Sequence, residues 1–127
     1  MESNPKKLLV VDDEPTVLMS VSMLLKSKGF LVAQCSSGQD VLGLLEPDKF
    51  DFDCVILDFT LPKMNGMNLL QKIRSAGHQV PVLMFSGLSL DEILTEEFEH
   101  HPEETIAKPF QFDSLLTKIK LLTGEEN

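Results

Sequence analysis

No stretch of this 127-residue chain is apolar for long enough to cross a bilayer. Its first residues, MESNPKK, lack the apolar core of a secretory leader. Met1, close to the first apolar run, reads as a natural N-terminus. The expected setting is the cytoplasm, with no membrane attachment. Cysteine is scarce. Cys35 and Cys54 both lie inside apolar runs, which suits buried thiols in a reducing compartment better than a disulfide or a metal pair. Basic residues number 11 against 20 acids, a net charge of −9, which speaks against a non-specific nucleic-acid surface. From Ser75 to Ala107 there is no Lys or Arg, while Asp91, Glu92, Glu96, Glu97, Glu99, Glu103 and Glu104 all fall there. A solvated acidic face accounts for this run, and a seat for a basic protein partner is the alternative. No linker, internal repeat or low-complexity segment breaks the chain, and its length fits one domain.

What the chain does have is a series of short apolar runs that end in polar residues. The central one is Cys54–Gly66, CVILDFTLPKMNG. Four apolar residues lead into Asp58, and Pro62 and Asn65-Gly66 then break the pattern. A run too short for a helix and bounded by turn residues reads as a strand buried on both faces, the kind found in parallel sheets. Lys6–Asp12, Phe30–Cys35, Phe52–Asp58, Val80–Ser86 and Glu104–Lys108 read as five strands. Helices are expected between and after them. The first opens at Glu14-Pro15, carries Val17, Leu18, Val21, Leu24 and Leu25, and closes at Gly29. The second is capped by Ser36 or Ser37, carries Val41, Leu42, Leu44 and Leu45, and ends at Pro47. The third spans Asn65–Ala76, a weaker acidic one spans Ser89–Phe98, and the last spans Phe110–Leu122. Strict strand–helix alternation predicts an α/β domain: a doubly wound, five-stranded parallel sheet of flavodoxin-like order 2-1-3-4-5, with helices on both faces.

In that order the polar strand ends meet along one edge of the sheet, where open α/β sheets bind their ligands. The first strand ends in Asp12-Asp13, the third in Asp58, the fourth in Ser86 and the fifth in Lys108. Three clustered carboxylates repel one another unless a positive charge joins them. A hard divalent cation such as magnesium, held by carboxylates, waters and phosphate oxygens, suits the acids. Lys108 balances the remaining charge, and Ser86 can donate to a phosphoryl oxygen. A carboxylate can serve as a nucleophile and become an aspartyl phosphate. These residue types suit phosphoryl transfer, which needs positioning and electrostatic relief.

DDEP at 12–15, ILDFTLPKMNG at 56–66, FSG at 85–87 and KPF at 108–110, in this order and at strand ends, resemble the receiver domain of two-component response regulators. The resemblance implies a single receiver domain over residues 1–127, with its core at about 6–122. It implies that Asp58 is the phosphoacceptor, served by a histidine kinase or a histidine phosphotransfer protein. Asp13 would be the direct ligand of Mg²⁺ (or Mn²⁺), Asp12 a ligand through water, and the backbone carbonyl of Thr60 a third protein ligand, with Asp58 itself part of the metal site. Lys108 would bind the phosphoryl group across a cis bond to Pro109, and Ser86 would be the switch hydroxyl. The family is a set of phosphoacceptors that catalyse their own phosphorylation and dephosphorylation, not turnover enzymes. The surface formed by the acidic helix, the fifth strand and the last helix would carry the output.

Two positions depart from the family pattern. The switch aromatic expected three residues before the lysine is Thr105, and FEHHPEE precedes it in place of a small-residue turn. Phe85 and Phe110 flank the site without occupying that position. Leu88, two residues after Ser86, stands with Thr60 where the family controls hydrolysis of the acyl phosphate. An apolar side chain there cannot position water, so a phosphorylated state that is not short-lived is expected. Two other functions fit these residues less well. A receiver-like binding module without phosphorylation is disfavoured by the complete set of Asp12, Asp13, Asp58, Ser86 and Lys108. An aspartyl-nucleophile phosphatase wants a second acid two residues after the nucleophile, and Asp58 has Thr60 there. His78 and the adjacent His100 and His101 show no third ligand for a metal.

Overall fold

The structure is a computed structural model, and it describes residues 5–87 and 98–125. Leu88 and all of the expected acidic helix except Phe98 lie outside these residues. Five parallel strands form one sheet: β1 (Lys7–Val11), β2 (Leu31–Cys35), β3 (Cys54–Asp58), β4 (Val82–Ser86) and β5 (Glu104–Ala107). Their order is β2-β1-β3-β4-β5, as the alternation predicts. Four helices are described: α1 (Pro15–Ser27), α2 (Gly38–Leu42), α3 (Gly66–Ser75) and, last in the chain, α4 (Phe112–Thr123).

The unbroken apolar runs of the central strands serve two cores at once, because successive side chains leave a strand on opposite faces. Leu9, Val11, Val55, Leu57, Val82 and Met84 point one way and pack with Val41 of α2 and Met67, Leu70 and Ile73 of α3. Leu8, Val10, Cys54, Ile56, Leu83 and Phe85 point the other way and pack with Leu18, Val21 and Leu25 of α1 and Leu115 and Ile119 of α4. Every residue of β3 and β4 is buried. Removing one such leucine side chain costs about 2–5 kcal/mol. Both cysteines are free and buried, and burial pushes their thiols up, to about 11 for Cys35 and about 12 for Cys54.

The helix ends follow from local chemistry. α1 begins with Pro15 and is followed by Gly29 at φ 96°, a left-handed position that glycine takes without strain. Asn65 caps α3 by accepting from the Asn68 N–H at 2.8 Å. Ser37, not Ser36, caps α2, accepting from the Asp40 N–H at 3.1 Å. α2 is shorter than expected. It ends at Leu42 with Gly43 as its C-cap, and Leu44 and Leu45 continue in turns while still packing on the core. Gly43, poor in helix interiors, ends the helix before Pro47 can.

A clip closes the edge of the sheet opposite the carboxyl ends. Arg74, at the end of α3, is buried and donates to the carbonyls of His78 and Val80 at 3.0 and 2.8 Å. It also grips both oxygens of Glu103 at 2.9 and 3.1 Å, and Glu103 accepts from the Val82 N–H at 2.7 Å. One turn earlier, the Gln71 amide donates to the His100 carbonyl at 2.8 Å and accepts from its N–H at 2.9 Å. The unusual segment before β5 is thus tied to α3 by two polar side chains.

Candidate phosphoacceptor site

Asp12 and Asp58 are held in the same way. Each follows or ends a buried strand, and each turns its Oδ1 back to the N–H two residues on. Asp12 accepts from Glu14 at 2.8 Å, and Asp58 accepts from Thr60 at 3.2 Å. Aspartate makes this local turn readily, because its short side chain reaches its own backbone. The turn fixes the carboxylate and frees Oδ2. Both free oxygens face Lys108, whose Nζ lies 3.1 Å from Asp58 Oδ2 and 3.5 Å from Asp12 Oδ2. The structure gives the N-cap position to Glu14, with no side-chain cap, and Asp12 acts one step earlier through the Glu14 N–H.

The two carboxylates are buried and Asp13 is exposed. One oxygen from each of Asp12, Asp13 and Asp58 lies within 4.8 Å of the others. Among the described residues, this is the group of acids that could hold a metal ion. Burial raises Asp12, and the Glu14 N–H and Lys108 offset it in part. Burial raises Asp58 too, opposed by the hydrogen bond from Lys108 and reinforced by the charge of Asp12. Lys108 feels the opposite balance. Its own burial pushes it down, but the bond and charge of Asp58 and the charges of Asp12 and Glu14 together push it up. Two buried carboxylates against one ammonium leave negative charge in a poorly solvated place, which suits a small hard cation.

Ser86 is buried at the end of β4, the strand beside Asp58, one position beyond Asp58's register partner Phe85. Thr60 is exposed in the loop after β3. The Lys108–Pro109 peptide bond is cis. Thr105 lies mid-strand in β5, half-buried, in register with Met84 and therefore on the opposite face of the sheet from Phe85. Two neighbours of Lys108 carry no role in the sequence reading, which places Phe85 only as a flank of the site and Glu14 only at the helix start. The Glu14 carboxylate lies 3.7 Å from Lys108 Nζ, and the Phe85 ring centroid lies 4.8 Å from it. The signal for Glu14 was its place two residues after Asp12, where the turn carries it to the same edge. A groove of about 340 Å³ opens beside Lys108, lined by Glu14, Val17, Lys108, Pro109 and Phe110.

A doubly wound sheet with acids, a hydroxyl and a lysine at its carboxyl edge defines a class of flavodoxin-like domains whose chemistry sits at the strand ends. Within that class the chain belongs to the response regulator receiver domain family, whose family model matches residues 8–120. It is a receiver domain of two-component signalling. It is 31% identical over 95% of its length to the transcriptional regulatory protein DltR of Streptococcus agalactiae, covering 53% of that protein. It is 27% identical over 89% of its length to the cell cycle transcriptional regulator CtrA of Caulobacter vibrioides, covering 48% of it. The chain therefore spans about half the length of these curated relatives. Among solved structures, a CheY-like receiver domain from Methanospirillum hungatei superposes with a TM-score of 0.85 at 27% identity, over 95% of each chain. The response regulator TrrA of Thermotoga maritima, solved in complex with Mg²⁺-BeF, has a TM-score of 0.79 at 26% identity over 92% of this chain and 98% of that one.

Proposed function

We propose that Asp58 accepts a phosphoryl group from the phosphohistidine of a histidine kinase or a histidine phosphotransfer protein. The observation that carries this reading is the single ammonium of Lys108 facing the free oxygens of both Asp58 and Asp12. An Asp58 oxygen attacks phosphorus, the P–N bond to the donor imidazole breaks, and the imidazole leaves and takes a proton from solvent. Lys108 is already aimed at Asp58, so it can follow a phosphoryl oxygen with little motion and neutralise its charge. Asp12, Asp13, Asp58 and the Thr60 carbonyl would hold Mg²⁺ or Mn²⁺, whose charge would ease the approach of the anionic phosphoryl group to the acids. The Ser86 hydroxyl, on the neighbouring strand, is suited to meet another oxygen of the product. The groove beside Lys108 is open to a donor side chain.

The chain is a phosphoacceptor that promotes its own phosphorylation and dephosphorylation, and it works in the cytoplasm. Residues 1–127 act as a single receiver domain with a core at about 6–122. The downstream target is a protein or an attached output domain, recognised through the surface around β5 and α4. The test is incubation with a small phosphodonor and Mg²⁺, followed by measurement of the intact mass. One phosphate adduct is expected in the native chain and none in Asp58→Asn. An adduct that survives in the variant, or its absence from both, would overturn the reading.

A further inference from the structure

A lysine has four rotatable side-chain bonds, and an ammonium near three acids can settle on any of them. Lys108 has Asp58 at 3.1 Å, Asp12 at 3.5 Å and Glu14 at 3.7 Å. Glu14 is well exposed and draws the ammonium outward, away from the buried pair. The backbone of Lys108 is anchored by its N–H to the Ser86 carbonyl at 2.8 Å, but this leaves the side chain free to swing. Something must hold the head group inward. The Phe85 ring, with its centroid 4.8 Å from Nζ, is placed to do so.

Parallel register explains why the ring is there. Asp58 and Phe85 are direct partners across β3 and β4, so both side chains leave the same face of the sheet. Phe85 is fully buried, and Phe110 meets it edge-on at 5.5 Å and 86°, which fixes the ring plane. The face of a desolvated ring attracts a cation, and the attraction grows as water is excluded. An aliphatic side chain of similar volume fills the same space without that charge distribution.

We propose that Phe85 is a positioning residue for Lys108: its ring face, braced by Phe110, holds the ammonium over Asp58 and Asp12 and against the outward pull of Glu14. The proposal rests on the reading of Lys108 as the phosphoryl-binding lysine. It puts the aromatic contribution to this site on β4, beside the acceptor, and not on β5, where Thr105 stands. The ring touches no reacting atom and acts only through Lys108.

Two measurements test it. The first is the proton shift of the Lys108 ε-methylene, read by NMR on the native chain. A ring-current displacement upfield is expected, and it should disappear in Phe85→Leu. The second replaces Phe85 site-specifically with mono-, di- and trifluorinated phenylalanine, which keep the ring shape and drain its face of negative charge. The rate of phosphorylation by a small phosphodonor at saturating Mg²⁺ should fall stepwise across the series, by about threefold to tenfold in all. Thermal melting should stay constant across it, which separates positioning from folding. A rate that does not respond to fluorination, or a Lys108 shift indifferent to Phe85→Leu, would overturn the proposal. If the native chain takes no phosphate on Asp58, the functional reading fails, while the NMR arm still decides where Phe85 holds Lys108.

Discussion

Gly66 and Asp58 approach so closely that a Cβ on Gly66 would stand 2.6 Å from the Asp58 carbonyl oxygen and 2.8 Å from the Phe59 Cα. Both obstacles are backbone, so neither can rotate away. The Gly66 N–H also donates to the Phe59 carbonyl at 2.6 Å, which closes the loop carrying Thr60. Gly66→Ala should therefore shift the loop and destabilise the domain by roughly 1–3 kcal/mol, the usual range for forced overpacking. Urea unfolding measures the cost. Phosphorylation with a small phosphodonor should be slowed in the same variant, because Asp58 and the Thr60 carbonyl move together. An alanine variant of native stability and rate would show that the close approach is not required.

Burial raises both Asp12 and Asp58 from the ordinary 3.8. The native chain therefore keeps these protons to a higher pH than the unfolded chain does. Between 3.8 and the raised native values the native state binds more protons, so stability falls as pH rises through that window. Above it the full cost of two buried charges remains. In chelator at pH 7, Asp58→Asn should melt at a higher temperature than the native chain, and the gap should narrow as the pH is lowered towards 4. Added Mg²⁺ should raise the melting temperature of the native chain and close the gap from the other side. At one hundred times its dissociation constant such a ligand contributes about 2.7 kcal/mol. A variant that melts below the native chain at neutral pH would contradict this account.

The clip between Arg74 and Glu103 is far from the acids and should act on stability alone. The Arg74 side chain is 6% exposed and Glu103 is 43% exposed, so solvent screens one end of the pair. Glu103→Ala leaves a buried guanidinium short of two acceptors and the Val82 N–H without its carboxylate. The expected cost is about 2 kcal/mol, below the full penalty for breaking a buried pair because Glu103 is half in water. Glu103→Gln keeps an acceptor and should cost about half as much. Denaturant midpoints distinguish the two, with phosphorylation by a small donor unchanged in both.

The family resemblance gives Leu88, which lies outside the described residues, a position that governs hydrolysis of the acyl phosphate, and leucine has no group to orient water. Leu88→Glu should shorten the lifetime of phospho-Asp58 by about threefold to tenfold, a small part of what a well-placed general base supplies. The decay of the phosphate adduct, followed by mass after the donor is removed, gives the rate directly. Equal lifetimes would assign control of hydrolysis to other residues.

Much of this domain is local in origin, and local features are legible in a sequence. Apolar runs of four or five residues ending in Asp12, Asp58 and Ser86 read as buried strands, and their alternation with amphipathic segments fits the sheet order that the structure shows. That order alone brought three acids, a hydroxyl and Lys108 to one edge. The boundaries were less legible. α2 ends at Leu42 because Gly43 breaks it, although Leu44 and Leu45 keep the apolar spacing that suggested a longer helix.

Other relationships depend on residues far apart in the chain, and only the tertiary structure decided them. Asp12 and Asp58 share the orientation that frees one oxygen of each for Lys108, because two separate turns repeat the same backbone bond. Phe85 lies under that lysine because strand register puts it beside Asp58. Arg74 and Gln71 tie down the segment before β5 through contacts 29 residues away, which no periodicity encodes. The residue types and their strand ends were written in the sequence, because burial and turn formation act over a few residues. Which oxygen meets which ammonium, and which ring holds it there, was set by packing across the sheet.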